Sequence, residues 1–200
     1  MLFWILFVIA YLPLLLLFPV KKVGKKNLKQ LKGKTYIIAS NHMSNNDAPI
    51  LDIRFAKKHY FLAKKELFKG KVGSAFMKSM GAVKVDRQKV EPSSIKEVFR
   101  LINKKKTVCI FPQGTRAKTP VVEEGSAKEG VAMFAIRTNT PVVPMMYNKK
   151  LKPFRRVKLY IGEPIYPDPE RKGDKTYMAE FADLVVHKMN ELLEGDVKKQ

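Results

Sequence analysis

Residues 35–63, TYIIASNHMSNNDAPILDIRFAKKHYFLA, read as strand, polar turn, helix and strand. Thr35–Ser40 is a short apolar run. Asp47–Lys58 takes a helical pattern with Pro49 in its first turn, where the missing N–H would have no intrahelical partner anyway. His59–Ala63 is strand-like again. The alternation continues to the end of the chain. Helices are predicted over Phe68–Met80 (weakened by Gly70 and Gly73), Ser93–Lys106 after Pro92, and Lys128–Asn139. Strands are predicted at Val83–Val85, Thr107–Phe111, Pro141–Met146 and Arg156–Ile161. Lys175–Leu193 carries Met178, Phe181, Leu184, Val185, Met189 and Leu192 at three- and four-residue steps, the stripe of a helix packed on a core. Strands separated by helices of this length predict an α/β fold: a mostly parallel sheet flanked by helices. No internal repeat or low-complexity segment interrupts residues 35–200, which read as one catalytic-size domain in a chain of 200 residues.

Before that domain the chain changes character. Residues 1–20, MLFWILFVIAYLPLLLLFPV, hold no charged side chain. As a helix they would reach about 30 Å, the thickness of a bilayer core. They lack the basic start and the cleavage site of a signal peptide. Trp4, Phe7, Tyr11, Leu15 and Phe18 leave no polar face, so a hydrophobic membrane-anchoring helix is expected. Pro13 allows either one kinked span or a helical hairpin dipping into one leaflet. Residues 21–34 then hold seven lysines and no acid. Lysines directly after an apolar segment mark the cytoplasmic side and attract anionic headgroups. The expected organisation is an anchor with a basic arm over 1–34, and a domain over 35–200 on the cytoplasmic face of the cell membrane.

The charge balance agrees with an anionic partner. Lys and Arg number 39 against 18 Asp and Glu, a net charge of +21. Nucleic acid is disfavoured, because the aromatic residues sit in apolar runs and are not interleaved with Arg and Lys on one face. The single Cys109 rules out an intrachain disulfide, and with only three histidines a zinc site is close to excluded. No metal and no cofactor are expected. Cys109 lies inside a strand, where a buried, inert thiol is expected.

In folds of this class ligands bind beyond the carboxyl ends of the strands. Three polar clusters fall there: Asn41–Asp47, Asp86–Arg87 and Pro112–Arg116. In a loop turning into a helix, Asp47 can fold back onto His42. A carboxylate-oriented imidazole is a general base able to take a proton from an alcohol. Arg87 and Arg116 offer forked donors to a phosphate, and Gly114 lets backbone N–H groups approach an anion. Ser44 lacks the glycine-flanked strained turn of a nucleophile. The residues thus suggest direct attack by a substrate hydroxyl activated by His42, with a lipid as the natural substrate of an anchored enzyme.

These motifs carry a family resemblance. NHMSNND (Asn41–Asp47) resembles the NHx4D motif of the glycerolipid acyltransferases, and FPQGTR (Phe111–Arg116) resembles their FPEGTR motif. GAVKVDR (Gly81–Arg87) is similar to the second motif of that family, and PVVPM (Pro141–Met145) to its fourth. Four motifs in order, spanning about Thr35 to Pro164, resemble the PlsC type most, the 1-acyl-sn-glycerol-3-phosphate acyltransferases. The resemblance implies acyl transfer from acyl-CoA or acyl-carrier protein to the sn-2 hydroxyl of lysophosphatidic acid, giving phosphatidic acid for phospholipid biosynthesis. It makes His42 the base and Asp47 its orienting acid. It gives the acceptor phosphate to Arg116 with Gln113, Gly114 and Thr115, helped by Lys84 or Arg87. Two departures stand out. Gln113 occupies the usual Glu position, keeping shape and losing charge. Asn45 and Asn46 replace positions that often carry larger side chains. Two alternatives remain on the residues alone: an acyltransferase for another lysolipid (a lysophospholipid or lyso-aminolipid), and a non-catalytic basic membrane-bound lipid-binding protein.

Overall fold

The computed structural model describes residues 13–86, 92–125 and 129–197, together with the isolated positions Ile5 and Ile9. Seven strands form one sheet: β1 (Val20–Val23), β2 (Ile37–Ser40), β3 (Tyr60–Lys64), β4 (Ala82–Val85), β5 (Val108–Ile110), β6 (Val142–Tyr147) and β7 (Val157–Ile161). Their spatial order is β1-β7-β6-β2-β5-β3-β4, and every neighbouring pair is parallel except β6 and β7. Five helices accompany the sheet: α1 (Asp47–Phe55), α2 (Gly70–Ser79), α3 (Pro92–Asn103), α4 (Gly130–Thr138) and α5 (Tyr177–Val197). The α/β fold expected from the sequence is present, with its mostly parallel sheet.

The central strands are apolar except for Ser40 at the end of β2, as strands covered on both faces require. Ile37 and Ala39 of β2, Val108 and Ile110 of β5, and Val142 and Met146 of β6 face one core, closed by α3, α4 and α5. The alternate residues Ile38, Cys109, Val143, Met145 and Tyr147 face a second core with Ile50 and Leu51 of α1, Phe18 and Leu31. The period of two along each strand assigns side chains to the two faces.

The sheet begins earlier than the sequence suggests. β1 lies inside the expected basic arm, and Val20 and Val23 pair in register with Val157 and Tyr160 of β7. Gly24 follows with φ +81°, where a Cβ would stand 2.2 Å from the Ile161 carbonyl oxygen. A 3-10 turn at Lys25–Leu31 then buries Leu31. Residues 20–31 are therefore folded onto the domain. The boundary expected at residue 34 does not separate a linker from a domain, since only a short apolar pair, Val20 and Val23, was needed to add an edge strand.

The expected anchor over 1–20 lies mostly outside the described residues. Among the described residues no helix is long and apolar enough to cross a membrane. Residues 13–17 are helical, and Phe18 is buried against the second core.

Candidate active site

The parallel strands β2 and β5 lie side by side, so the loops leaving their carboxyl ends meet. The β2 loop carries Asn41 through Asn46 and runs into α1. Here Asp47, wholly buried, folds back so that one carboxylate oxygen does three jobs. Oδ2 accepts the Met43 and Ser44 N–H groups at 2.7 Å each, and lies 2.8 Å from Nδ1 of His42. Two backbone donors hold the carboxylate in place. A carboxylate oxygen accepts, so the tautomer that fits this contact carries its proton on Nδ1 and keeps a lone pair on Nε2. The five-residue spacing that would separate the two side chains on a helix brings them together across the turn. His42 is 15% exposed and Asp47 0%.

Phe111, the first residue after β5, stacks on His42 with ring centroids 4.2 Å apart. The same β5 loop is laced to the β2 loop twice. The Ala117 N–H donates to the His42 carbonyl at 2.8 Å, and Arg116 Nη1 donates to Asn45 Oδ1 at 3.0 Å. Asn41 supports the arrangement from below. Its amide donates to the carbonyls of Tyr147 and Pro120 and accepts the Tyr147 N–H, all at 2.9 Å. The Tyr147 hydroxyl donates to the Asp47 carbonyl at 3.1 Å. Burial, reinforced by the Asp47 charge, pushes that hydroxyl far up, so it remains a donor.

His42, Asn45, Thr115, Arg116, Lys118 and Lys150 line a cavity of about 1110 Å³. Most of the remaining lining is apolar, from Ile53, Phe61, Leu67, Phe76, Met77, Met80 and their neighbours. A base with a lone pair and a set of cations thus share one cavity with a long hydrophobic wall. That combination suits an amphiphile with an anionic head, and Nε2 can accept the proton of a hydroxyl that attacks an electrophile beside it.

The other expected site residues fall as follows. Thr115 is exposed and lines the cavity. Gly114 has φ +67°, and its N–H donates to the Phe111 carbonyl at 2.9 Å. That donor is committed to the turn, so Gly114 shapes the loop and does not present its own N–H to an anion. Gln113 is outside the lining, with Oε1 buried and without a hydrogen-bond partner. Lys84 is exposed on the edge strand β4, two strands away from β5, and does not line the cavity. Arg87 lies outside the described residues. Burial pushes the Cys109 thiol well up, which keeps it protonated, as its strand position suggests. Among the described residues no three His, Cys, Asp or Glu side chains gather as a metal-holding group.

Asn41 and Phe111 enter from the sequence only as the first residues of their motifs, without a role, and Tyr147 is not named there. A polar Asn directly behind an apolar strand, buried where water cannot reach, was the available signal for the first. Phe111 reads as the end of the apolar run TVCIF, and Tyr147 falls just beyond the expected strand Pro141–Met146.

The geometry has counterparts among known proteins. The 1-acyl-sn-glycerol-3-phosphate acyltransferase of Bacillus subtilis is 32% identical over 180 residues, covering 86% of this chain and 87% of that protein. The enzyme of the same name from Streptococcus pneumoniae is 27% identical over 139 residues, covering 66% of this chain and 50% of its own length. The crystal structure of the 1-acyl-sn-glycerophosphate (LPA) acyltransferase PlsC from Thermotoga maritima superposes with a TM-score of 0.64 at 25% identity, covering 88% of this chain and 72% of that one. The Acyltransferase family model matches residues 19–148, from the edge strand β1 through the loops that hold His42 and Arg116. The chain belongs to the acyltransferase family.

Proposed function

We propose that this enzyme transfers a fatty acyl group from a thioester donor to the free hydroxyl of 1-acyl-glycerol-3-phosphate, giving phosphatidic acid. One observation carries the reading: the Asp47-held imidazole of His42 opens on the same apolar cavity as Arg116. In this reaction Nε2 of His42 takes the acceptor hydroxyl proton as the oxygen attacks the thioester carbonyl. Collapse of the tetrahedral adduct breaks the C–S bond, and the leaving thiolate takes the proton back from the imidazolium. Asp47 stabilises that cation and fixes the ring. Arg116 holds the acceptor phosphate monoester, with Thr115, Lys118 and Lys150 on the same wall. The donor is acyl-CoA or acyl-carrier protein, whose acyl chain fits the lining from Ile53 to Met80. The apolar stretch expected as an anchor, within residues 1–20, attaches the chain to the cell membrane with the site on the cytoplasmic side.

The test is a product assay. The full chain is incubated with labelled acyl-CoA or acyl-carrier protein and a panel of lysolipids. Labelled phosphatidate, abolished in His42→Ala, is the expected product. Equal or better use of a lysolipid lacking a phosphate monoester would move the acceptor elsewhere, and no transfer to any acceptor would overturn the reading.

A further inference from the structure

β7 runs back against β6, so residues 148–156 connect them at the end of the sheet where the β2 and β5 loops form the site. β1 is parallel to β7 and pairs Val20 with Val157, so the chain before Val20 approaches from that same end. The connection reads NKKLKPFRR: five cations, no acid, and one aromatic residue. It is a held structure. Leu151 is buried in the second core. Asn148 closes the hairpin, donating its N–H to the Lys158 carbonyl at 3.0 Å and accepting the Lys158 N–H at 2.9 Å. The Phe154 N–H donates to the Leu17 carbonyl at 2.6 Å, and the Val157 N–H to the Pro19 carbonyl at 3.0 Å.

On this support Phe154 stands 78% exposed with φ +58°, a backbone state that bulky residues rarely adopt. An aromatic ring displayed in water from a fixed loop, flanked in sequence by Lys149, Lys150, Lys152, Arg155 and Arg156, is left uncovered by the described residues. Among the described residues none of those five cations makes an ion pair. A bilayer with anionic headgroups supplies both halves: headgroup charge for the cations and an acyl boundary for the ring. Lys150 also lines the cavity beside Ile9, Leu14 and His42. Leu16, on the helical turn that bonds to Phe154, is likewise exposed.

We infer that residues 148–156 form a second membrane contact, which inserts Phe154 into an anionic leaflet and faces the cavity mouth toward the lipid. A single N-terminal attachment would leave the domain free to turn. A second contact at the site end fixes its orientation, and the Leu17–Phe154 hydrogen bond makes the two contacts one unit. The inference deepens the functional reading, since it presumes an acceptor that arrives from a bilayer.

The test uses full-length protein in which Trp4, the sole tryptophan, is replaced (Trp4→Phe) and the loop is reported by Phe154→Trp. Trp adds no branch at Cβ, so the positive φ brings no new strain. The protein is mixed with phosphatidylcholine vesicles, with or without about one third phosphatidylglycerol, each carrying brominated acyl chains. On anionic vesicles the emission is expected to shift to the blue and to be quenched at least about twofold more than on neutral ones. Adding Lys152→Gln, Arg155→Gln and Arg156→Gln is expected to remove that excess. A water-like, unquenched tryptophan in protein that sediments with vesicles would overturn the inference. So would equal quenching on both lipids, or failure to sediment with either. The same preparation is assayed for acyl transfer. Quenching without turnover would leave the membrane contact standing and defeat the functional reading alone.

Discussion

Phe111 lies almost flat on the His42 imidazole, with centroids 4.2 Å apart and planes inclined by 21°. Asp47 fixes one edge of that ring and Phe111 fixes its face. Nε2 of His42 is thus aimed by contacts from two different loops. Phe111→Ala keeps the base and its carboxylate but lets the ring swing. The expected result is a fall in kcat of about tenfold, against roughly 10²–10⁴-fold for His42→Ala. Equal losses in the two variants would mean that Phe111 does more than position the ring.

Asp47→Asn separates orientation from charge. The amide oxygen can still accept from Met43 and Ser44, so circular dichroism and the unfolding midpoint are expected to change little. Turnover should fall by about two to four orders of magnitude, because the imidazolium loses its counter-charge and the amide can favour the wrong tautomer. A collapse of the fold would instead assign Asp47 mainly to holding the entry of α1.

The His42–Asp47 pair was legible because it is local. Its partners lie within one turn, and neither sheet order nor a distant strand decides their meeting. The central strands were legible for a similar reason: runs such as TVCIF and PVVPMM have no solvent face to write into the sequence. β1 was not. Lys21 and Lys22 dominate its short run, and its partner lies more than 130 positions further along the chain. The antiparallel turn of β6 into β7 was hidden too, since nothing in the charged run 148–156 announces its hydrogen bonds to Leu17 and Lys158. Lys84 was placed near the phosphate by motif alone. The sheet order puts it on the far edge.

A second, almost wholly buried histidine–carboxylate pair, His59 and Asp52, borders the cavity through Asp52. Asp52 Oδ1 accepts the His59 N–H at 2.9 Å and lies 2.7 Å from its Nδ1, while Oδ2 has no partner. Burial raises the Asp52 pKa, and the bonds to His59 only partly offset that. The folded state therefore keeps a proton that the unfolded chain, titrating at about 3.9, has already released. Stability contributed by Asp52 is full below that value and is lost as pH rises through the folded pKa. Asp52→Asn does not titrate. The stability of the parent relative to Asp52→Asn should thus decline from about pH 4 upward, read from unfolding midpoints in detergent at several pH values. A difference that grows in favour of the parent toward neutral pH would show that the carboxylate is stabilised as an anion.

The sharpest expectations concern Arg116. Its guanidinium is already spread between the cavity and Asn45 Oδ1, so the two loops set its direction. Arg116→Lys removes the fork that grips a phosphate monoester. Acceptor KM is expected to rise about tenfold, with the donor KM little changed. Asn45→Ala leaves the charge and frees the side chain, so a smaller rise in acceptor KM is expected. Gln113 belongs to the same loop as Arg116 but lies outside the cavity lining, with Oε1 buried and unpartnered. A carboxylate placed there by Gln113→Glu would touch no substrate. It would also enter a pocket that offers its oxygen no hydrogen bond. The expected change in kcat is therefore within about threefold, accompanied by a lower unfolding midpoint at neutral pH. A rise in kcat of an order of magnitude would show instead that the carboxylate reaches the chemistry through Arg116, and that this chain works without a charge its relatives' motif supplies.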